Sequence, residues 1–163
     1  CDGQHEPQRI PRFVQICEAT DFDIVSGSRY LETFDHDSKP PEQRRAINQT
    51  ITAELNRQLC LEITDAFCGF KAYRVDAIAK LTLTEPGYAM PLELWVQAAA
   101  TRLKITELAV PLIYLDEKRS FGGALDNGEK RLRYYRDVIA KAVARTGVDF
   151  ASRKSAGCGQ GAA

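Results

Sequence analysis

Apolar residues recur along the chain at two periods, and the switching between them outlines alternating helices and strands of an α/β protein. From Pro7 to Glu18, residues Ile10, Phe13, Val14 and Cys17 fall on one helical face suited to packing on a sheet, with Pro7 opening the helix. Phe22-Asp23-Ile24-Val25 alternates as a short strand and ends in Ser26-Gly27-Ser28-Arg29, a run of small residues. Glu42 to Leu61 reads as a long helix, with Ile47, Ile51, Leu55 and Leu59 every fourth residue. Phe67, Phe70 and Tyr73 bring aromatic bulk to the segment Ile63 to Tyr73, and Gly69 allows close backbone approach there. Val75 to Leu83 reads as a short helix closed by Glu85-Pro86-Gly87. Leu92, Trp95, Val96, Ala99 and Leu103 then line one face of the next helix, while Glu93 and Gln97 share another. Ile105 to Leu115 has strand character, with Pro111 restricting it to an edge or bulge. A last helix, Glu129 to Arg145, buries Leu132, Tyr135, Val138, Ile139 and Ala142.

The segments between are polar. Tyr30 to Pro41 ends in Pro40-Pro41 and reads as a mobile loop; Asp116 to Gly128 is a loop carrying Gly122, Gly123 and Gly128. Residues 1–150 make up one domain, and 151–163, small and polar, read as a disordered tail. The whole predicts a partial α/β domain, a mixed sheet flanked by helices.

Composition narrows the class. A hydrophobic fraction of 44% and a charged fraction of 27% are those of a soluble globular domain. No apolar run approaches the roughly 18 residues a membrane-spanning helix needs. Five cysteines with no C-x-x-C predict reduced thiols in a cytoplasmic setting, Cys17, Cys60 and Cys68 as small buried residues. Net charge is zero but unevenly spread: residues 1–65 hold 12 acids against 7 bases, and residues 116–145 hold 8 bases against 5 acids. There is no long basic block of the kind nucleic acid requires. Lys130, Arg131, Arg133, Arg136, Lys141 and Arg145 lie off the apolar stripe of the last helix. They fit either a solvated face or a peripheral seat on an anionic membrane surface.

Candidate chemistry begins at the amino end. Cys1-Asp2-Gly3-Gln4-His5-Glu6-Pro7 has the form of a strand-to-helix turn, the place where open α/β sheets bind ligands. Asp2 with the amide oxygen of Gln4 suits a hard divalent cation, Mg2+ or Mn2+, that completes its shell with water and phosphate oxygens. The same residues also make an ordinary Asp-Gly turn. Ser26-Gly27-Ser28-Arg29 fits an anion cradle or a plain turn with a surface arginine. Arg119 precedes two glycines in a loop able to close over a diphosphate. Asp35-His36-Asp37 does not make a zinc site, since the chain has only two histidines and no ligand pair at helical metal spacing.

Several motifs taken in order add a resemblance. Asp2-Gly3-Gln4-His5-Glu6-Pro7, Val25-Ser26-Gly27-Ser28-Arg29-Tyr30, Thr64-Asp65-Ala66-Phe67-Cys68-Gly69-Phe70-Lys71-Ala72-Tyr73, Glu93-Leu94, the run from Glu107 to Pro111 and Arg119-Ser120-Phe121-Gly122-Gly123 resemble, over about residues 1–145, family 2 glycosyltransferases. The branch resembled transfers mannose or glucose to polyprenyl (dolichyl-type) phosphate. That resemblance implies a GT-A, Rossmann-like fold and transfer of a sugar from a nucleotide-sugar donor to a polyprenyl-phosphate lipid at the cytoplasmic face of a membrane. It implies Asp2 and Asp65 at the catalytic centre, Asp2 and Gln4 on the cation, and Glu93 and Arg119 on the donor. It also implies Arg29, Arg44 or Arg45, and Asn48 on the acceptor phosphate. Two departures stand out: Cys68 replaces a serine, and Gly123-Ala124 replaces a Ser-Lys pair. The first aspartate of the family's metal motif would precede Cys1, so the chain is expected to be a C-terminal portion lacking the nucleotide-binding half and inactive alone. A non-catalytic module binding a phosphorylated ligand or a partner is the competing class; a hydrolase lacks its nucleophile elbow here.

Overall fold

The computed structural model describes residues 4–114 and 122–155. After a 3-10 turn, Pro7–Arg9, come α1 (Ile10–Ala19), β1 (Ile24–Ser28), α2 (Glu42–Leu59), β2 (Lys71–Tyr73), α3 (Val75–Ile78), α4 (Met90–Ala100) and β3 (Ile105–Ala109). A second 3-10 turn, Gly123–Asp126, leads into α5 (Gly128–Thr146) and α6 (Phe150–Ser155). The three strands form one mixed sheet in the order β2-β1-β3, β1 antiparallel to β2 and parallel to β3. This is the expected mixed sheet flanked by helices.

β1 is the centre of that sheet, and all five of its residues are buried. Alternate side chains serve opposite faces: Val25 packs with Phe13, Cys68 and Val110 beneath α1, while Ile24 packs with Ala77, Ala98 and Leu103. The strand runs on through Ser28, so Ser26-Gly27-Ser28 is not the expected turn. Small size is what these residues contribute. A Cβ on Gly27 would lie 2.8 Å from the Phe70 carbonyl oxygen and 3.0 Å from Cys68 Sγ.

The main core lies among the helices. Ile47, Ile51, Leu55 and Leu59 of α2 are all buried, as their spacing predicted, and meet Leu92, Trp95 and Val96 of α4 and Tyr135, Val138, Ile139 and Ala142 of α5. Each buried Ile, Leu or Val among them contributes about 1.5–3 kcal/mol by leaving water. Trp95 is fully buried, its indole N–H donating to the Ala66 carbonyl at 2.8 Å, so it is core rather than a sugar platform. α5 starts on Asn127, whose side chain accepts from Lys130 N, and stops at Gly147 in the left-handed region.

Four expectations change. α1 is rotated from its predicted face: Phe13 is buried with Ile16 and Cys17 beside it, while Ile10 and Val14 are 49% and 45% exposed. The Phe13 ring, 4.5 Å from that of Phe70, sets that rotation. The loop from Tyr30 to Pro41 is pinned rather than loose. The Asp37 carboxylate accepts from Phe34 N at 2.8 Å and Leu112 N at 2.7 Å, and Ser38 N donates to the Leu112 carbonyl at 2.7 Å. Residues 151–155, read as the start of a disordered tail, are helical in α6, which Phe150 anchors in the core. Cys60, in the left-handed conformation after α2, is disulfide-bonded, so the cysteines are not uniformly thiols; Cys17 and Cys68 are free. Among the described residues no helix is long and apolar enough to cross a membrane.

Candidate functional site

A cavity of about 390 Å³ opens where the end of β1, the start of α2 and the start of α5 converge. Arg29 and Tyr30 reach it from the end of β1, and Arg44, Ile47 and Asn48 from one face of α2, Asn48 one turn after Arg44. Gln4 and His5 line it from the amino end, and Phe67 and Gly69 from the segment before β2. Tyr88, Tyr114, Arg131 and Tyr135 complete the wall. Among the described residues the lining is thus chiefly arginine, amide and aromatic, without a carboxylate.

Asp65 organises this wall from behind. It is fully buried, accepting from Arg29 Nε at 2.6 Å and Nη2 at 2.9 Å and from Asn48 Nδ2 at 2.8 Å, with Phe67 N at 3.1 Å. Burial pushes against its charge, but the Arg29 fork and the amide bonds outweigh that and hold its carboxyl below the usual range. Arg29 in turn stays protonated, the pull of Asp65 exceeding the burial that opposes it. One carboxylate therefore fixes both Arg29 and Asn48 for presentation to the cavity.

Glu107 on β3 holds Asp65 in position. Its carboxylate accepts from Thr64 N at 2.8 Å, Thr64 Oγ1 at 2.7 Å and Asp65 N at 3.3 Å, and Thr64 Oγ1 lies 2.5 Å from Ser28 Oγ. Burial raises the Glu107 carboxyl, against the lowering effect of those bonds. The motif segment is thus tied to two adjacent strands.

Of the residues singled out in the sequence, the structure brings Gln4, Arg29, Arg44 and Asn48 to one cavity, with Asp65 directly behind. Arg45 stands apart from Arg44, its guanidinium 3.4 Å over the Tyr30 ring. Glu93 is elsewhere. Fully buried, it accepts from Thr84 N at 2.9 Å, Glu85 N at 2.7 Å and Arg145 Nη2 at 2.8 Å, and so fastens the segment before α4 to α5. Burial opposes its charge, but these donors hold its carboxyl below the usual range. Asp2 and Arg119 lie outside the described residues, and among those described no group of three or more His, Cys, Asp or Glu is placed to hold a metal.

Sequence reasoning missed Arg131, Tyr30, Tyr88, Tyr114 and Tyr135 at the cavity. Arg131 was assigned to the outer faces of the last helix, yet it is only 3% exposed. One signal was available: Arg131 lies four residues before the buried Tyr135, on its side of the helix.

A cationic, aromatic cavity at the end of a central strand, backed by a buried carboxylate, has the chemistry to receive an anionic ligand. The sequence profile of glycosyl transferase family 2 matches residues 1–82, and the chain belongs to that family. It is similar to an undecaprenyl-phosphate mannosyltransferase of Micrococcus luteus, 26% identical over 127 residues, which cover 75% of this chain and 51% of that protein. The chain spans about half the length of that curated relative. No solved structure matches it.

Proposed function

We propose that the protein is a glycosyltransferase that moves a sugar from a nucleotide-sugar donor to a polyprenyl phosphate, with a divalent cation. One observation carries this: Arg29 from the end of β1, and Arg44 and Asn48 from α2, share a single cavity with Gln4 and aromatic walls. Membership of family 2 and the likeness to an undecaprenyl-phosphate mannosyltransferase support the same class.

In this scheme Arg44, Arg29 and Asn48 receive the acceptor phosphate. A charge-assisted fork at a partly dehydrated site binds phosphate with fixed orientation. Asp65 is a positioning residue, because its carboxylate is already engaged by Arg29 and Asn48. An acceptor oxygen forms the new bond to the anomeric carbon as the donor's bond to the nucleoside diphosphate breaks. The acceptor is anionic at neutral pH, so no side chain has to remove a proton. Aligning the two reactants can lower the barrier by about 7–11 kcal/mol at most. A carboxylate with one amide oxygen suits Mg2+ or Mn2+ sharing phosphate oxygens and water, so Asp2 and Gln4 would hold the ion. That ion would offset the charge of the departing diphosphate. Arg119 would add to that neutralisation.

The test is transfer of labelled sugar from a panel of nucleotide-sugars into the lipid extract, using full-length protein, polyprenyl phosphate and Mg2+ or Mn2+. Transfer from one donor is expected, lost on chelation and in Asp2→Ala. Absence of transfer from every donor overturns the proposal; unaltered transfer by Asp2→Ala overturns the metal assignment.

A further inference from the structure

Tyr135 of α5 is 3% exposed, and its ring belongs to the main core. The ring centroid lies 5.0 Å from that of Phe67 and 5.9 Å from that of Tyr134. A phenylalanine would fill that place equally well, so packing accounts for the ring and not for the hydroxyl. Buried aromatic side chains that carry a polar atom ordinarily bond it within the protein. Trp95 gives its N–H to the Ala66 carbonyl at 2.8 Å, and Tyr134 gives its hydroxyl to Glu85 Oε1 at 2.5 Å.

Tyr135 departs from that pattern. Among the described residues its hydroxyl makes no hydrogen bond, yet the oxygen is not sealed inside the core and keeps accessible surface. The residue lines the cavity between β1, α2 and α5, and with the rest of it buried, that surface opens there. Burial foremost raises its pKa, against the pull of Arg131 and Arg44, so the hydroxyl keeps its proton at neutral pH and is able to donate. The wall around it carries Arg29, Arg44, Arg131 and Asn48, a setting for an anion. A neutral hydroxyl in such a wall adds a directed bond to an anionic oxygen without adding charge.

We propose that Tyr135 is a ligand-binding residue of the cavity, its hydroxyl donating a hydrogen bond to a terminal phosphate oxygen. This rests on the cavity being an anion site, as proposed above. The phosphate belongs either to the lipid acceptor or to the nucleotide, and separate ligands distinguish the two.

Tyr135→Phe removes the hydroxyl and keeps the ring. Binding of a short-chain prenyl monophosphate and of a nucleoside diphosphate to full-length wild type and Tyr135→Phe is measured by calorimetry, beside the thermal melt of each protein without ligand. The unliganded melt of Tyr135→Phe is expected at or above that of wild type, because the hydroxyl bonds nothing inside the protein. Its affinity for at least one of the two ligands is expected to fall by about tenfold or more, the scale of a hydrogen bond to a charged group. The ligand that weakens identifies the phosphate. Wild-type affinity for both ligands in Tyr135→Phe overturns the assignment. So does an unliganded melt clearly below that of wild type, which marks the hydroxyl as an internal structural group. If wild type itself binds neither ligand, the anion-site reading fails and the assignment falls with it.

Discussion

A single buried carboxylate, Asp65, decides how Arg29 and Asn48 meet the cavity. Its partners lie 36 and 17 residues upstream, so no local spacing could reveal the arrangement. The Thr64-Asp65 motif marked Asp65 as a site residue, but not that its oxygens are taken by neighbouring side chains. Asp65→Asn leaves Arg29 without its counter-charge, and breaking a buried pair in this way costs about 3–5 kcal/mol. Urea unfolding at neutral pH is expected to show a loss of that size. The pH dependence has a definite sign. The folded-state pKa of Asp65 lies below the ordinary value of 3.8, so the stability due to its charge is present in full above 3.8. It is lost as pH falls further, through the folded-state pKa. The advantage of wild type over Asp65→Asn is expected to stay level from neutral pH down to about pH 4 and to narrow only below that. An advantage that shrinks as pH rises contradicts the assignment.

Among the elements, periodicity read best where one face is apolar over many turns. The stripe of α2 and most of that of α5 were legible because three helices bury them together. Shorter elements were set by neighbours. α1 turns to seat Phe13 on Phe70, and β1 extends through Ser28 because β3 pairs along its whole length. The loop from Tyr30 to Pro41 shows why polarity alone misleads. Its composition is that of a mobile segment, but Asp37 ties it to Leu112, 75 residues away. Asp37→Ala is expected to speed hydrogen exchange at the amides of Phe34 and Leu112 by about fivefold or more, the effect of losing roughly 1 kcal/mol per bond. Those of α2 should be unaffected. Unchanged exchange at both loop amides means that Asp37 does not fasten the loop.

For the whole molecule, the order of motifs gave the class and the mixed sheet, while the cavity came from the meeting of segments that are separate in sequence. Arg44 and Asn48 were legible because they sit one turn apart on a helix. Arg131 and Tyr135 were not, since nothing local states which way α5 faces α2, and Tyr30, Tyr88 and Tyr114 reach the cavity from three other segments. Glu93 illustrates the converse: an acid in a motif fastens one segment to another. The basic face of α5 is also narrower than its composition implied. Arg131 turns inward, Arg136 pairs with Glu54 and Arg145 with Glu93, leaving Lys130, Arg133 and Lys141 exposed. The central claim is that the cavity between β1, α2 and α5 takes the acceptor phosphate. The measurement closest to it is the KM for polyprenyl phosphate in sugar transfer by full-length wild type and Arg44→Met. A rise of about tenfold in that KM, the scale of one charge-assisted bond, with the KM for the nucleotide-sugar unchanged, is the expected result. An unchanged KM for the lipid, with the loss falling on the donor instead, contradicts it.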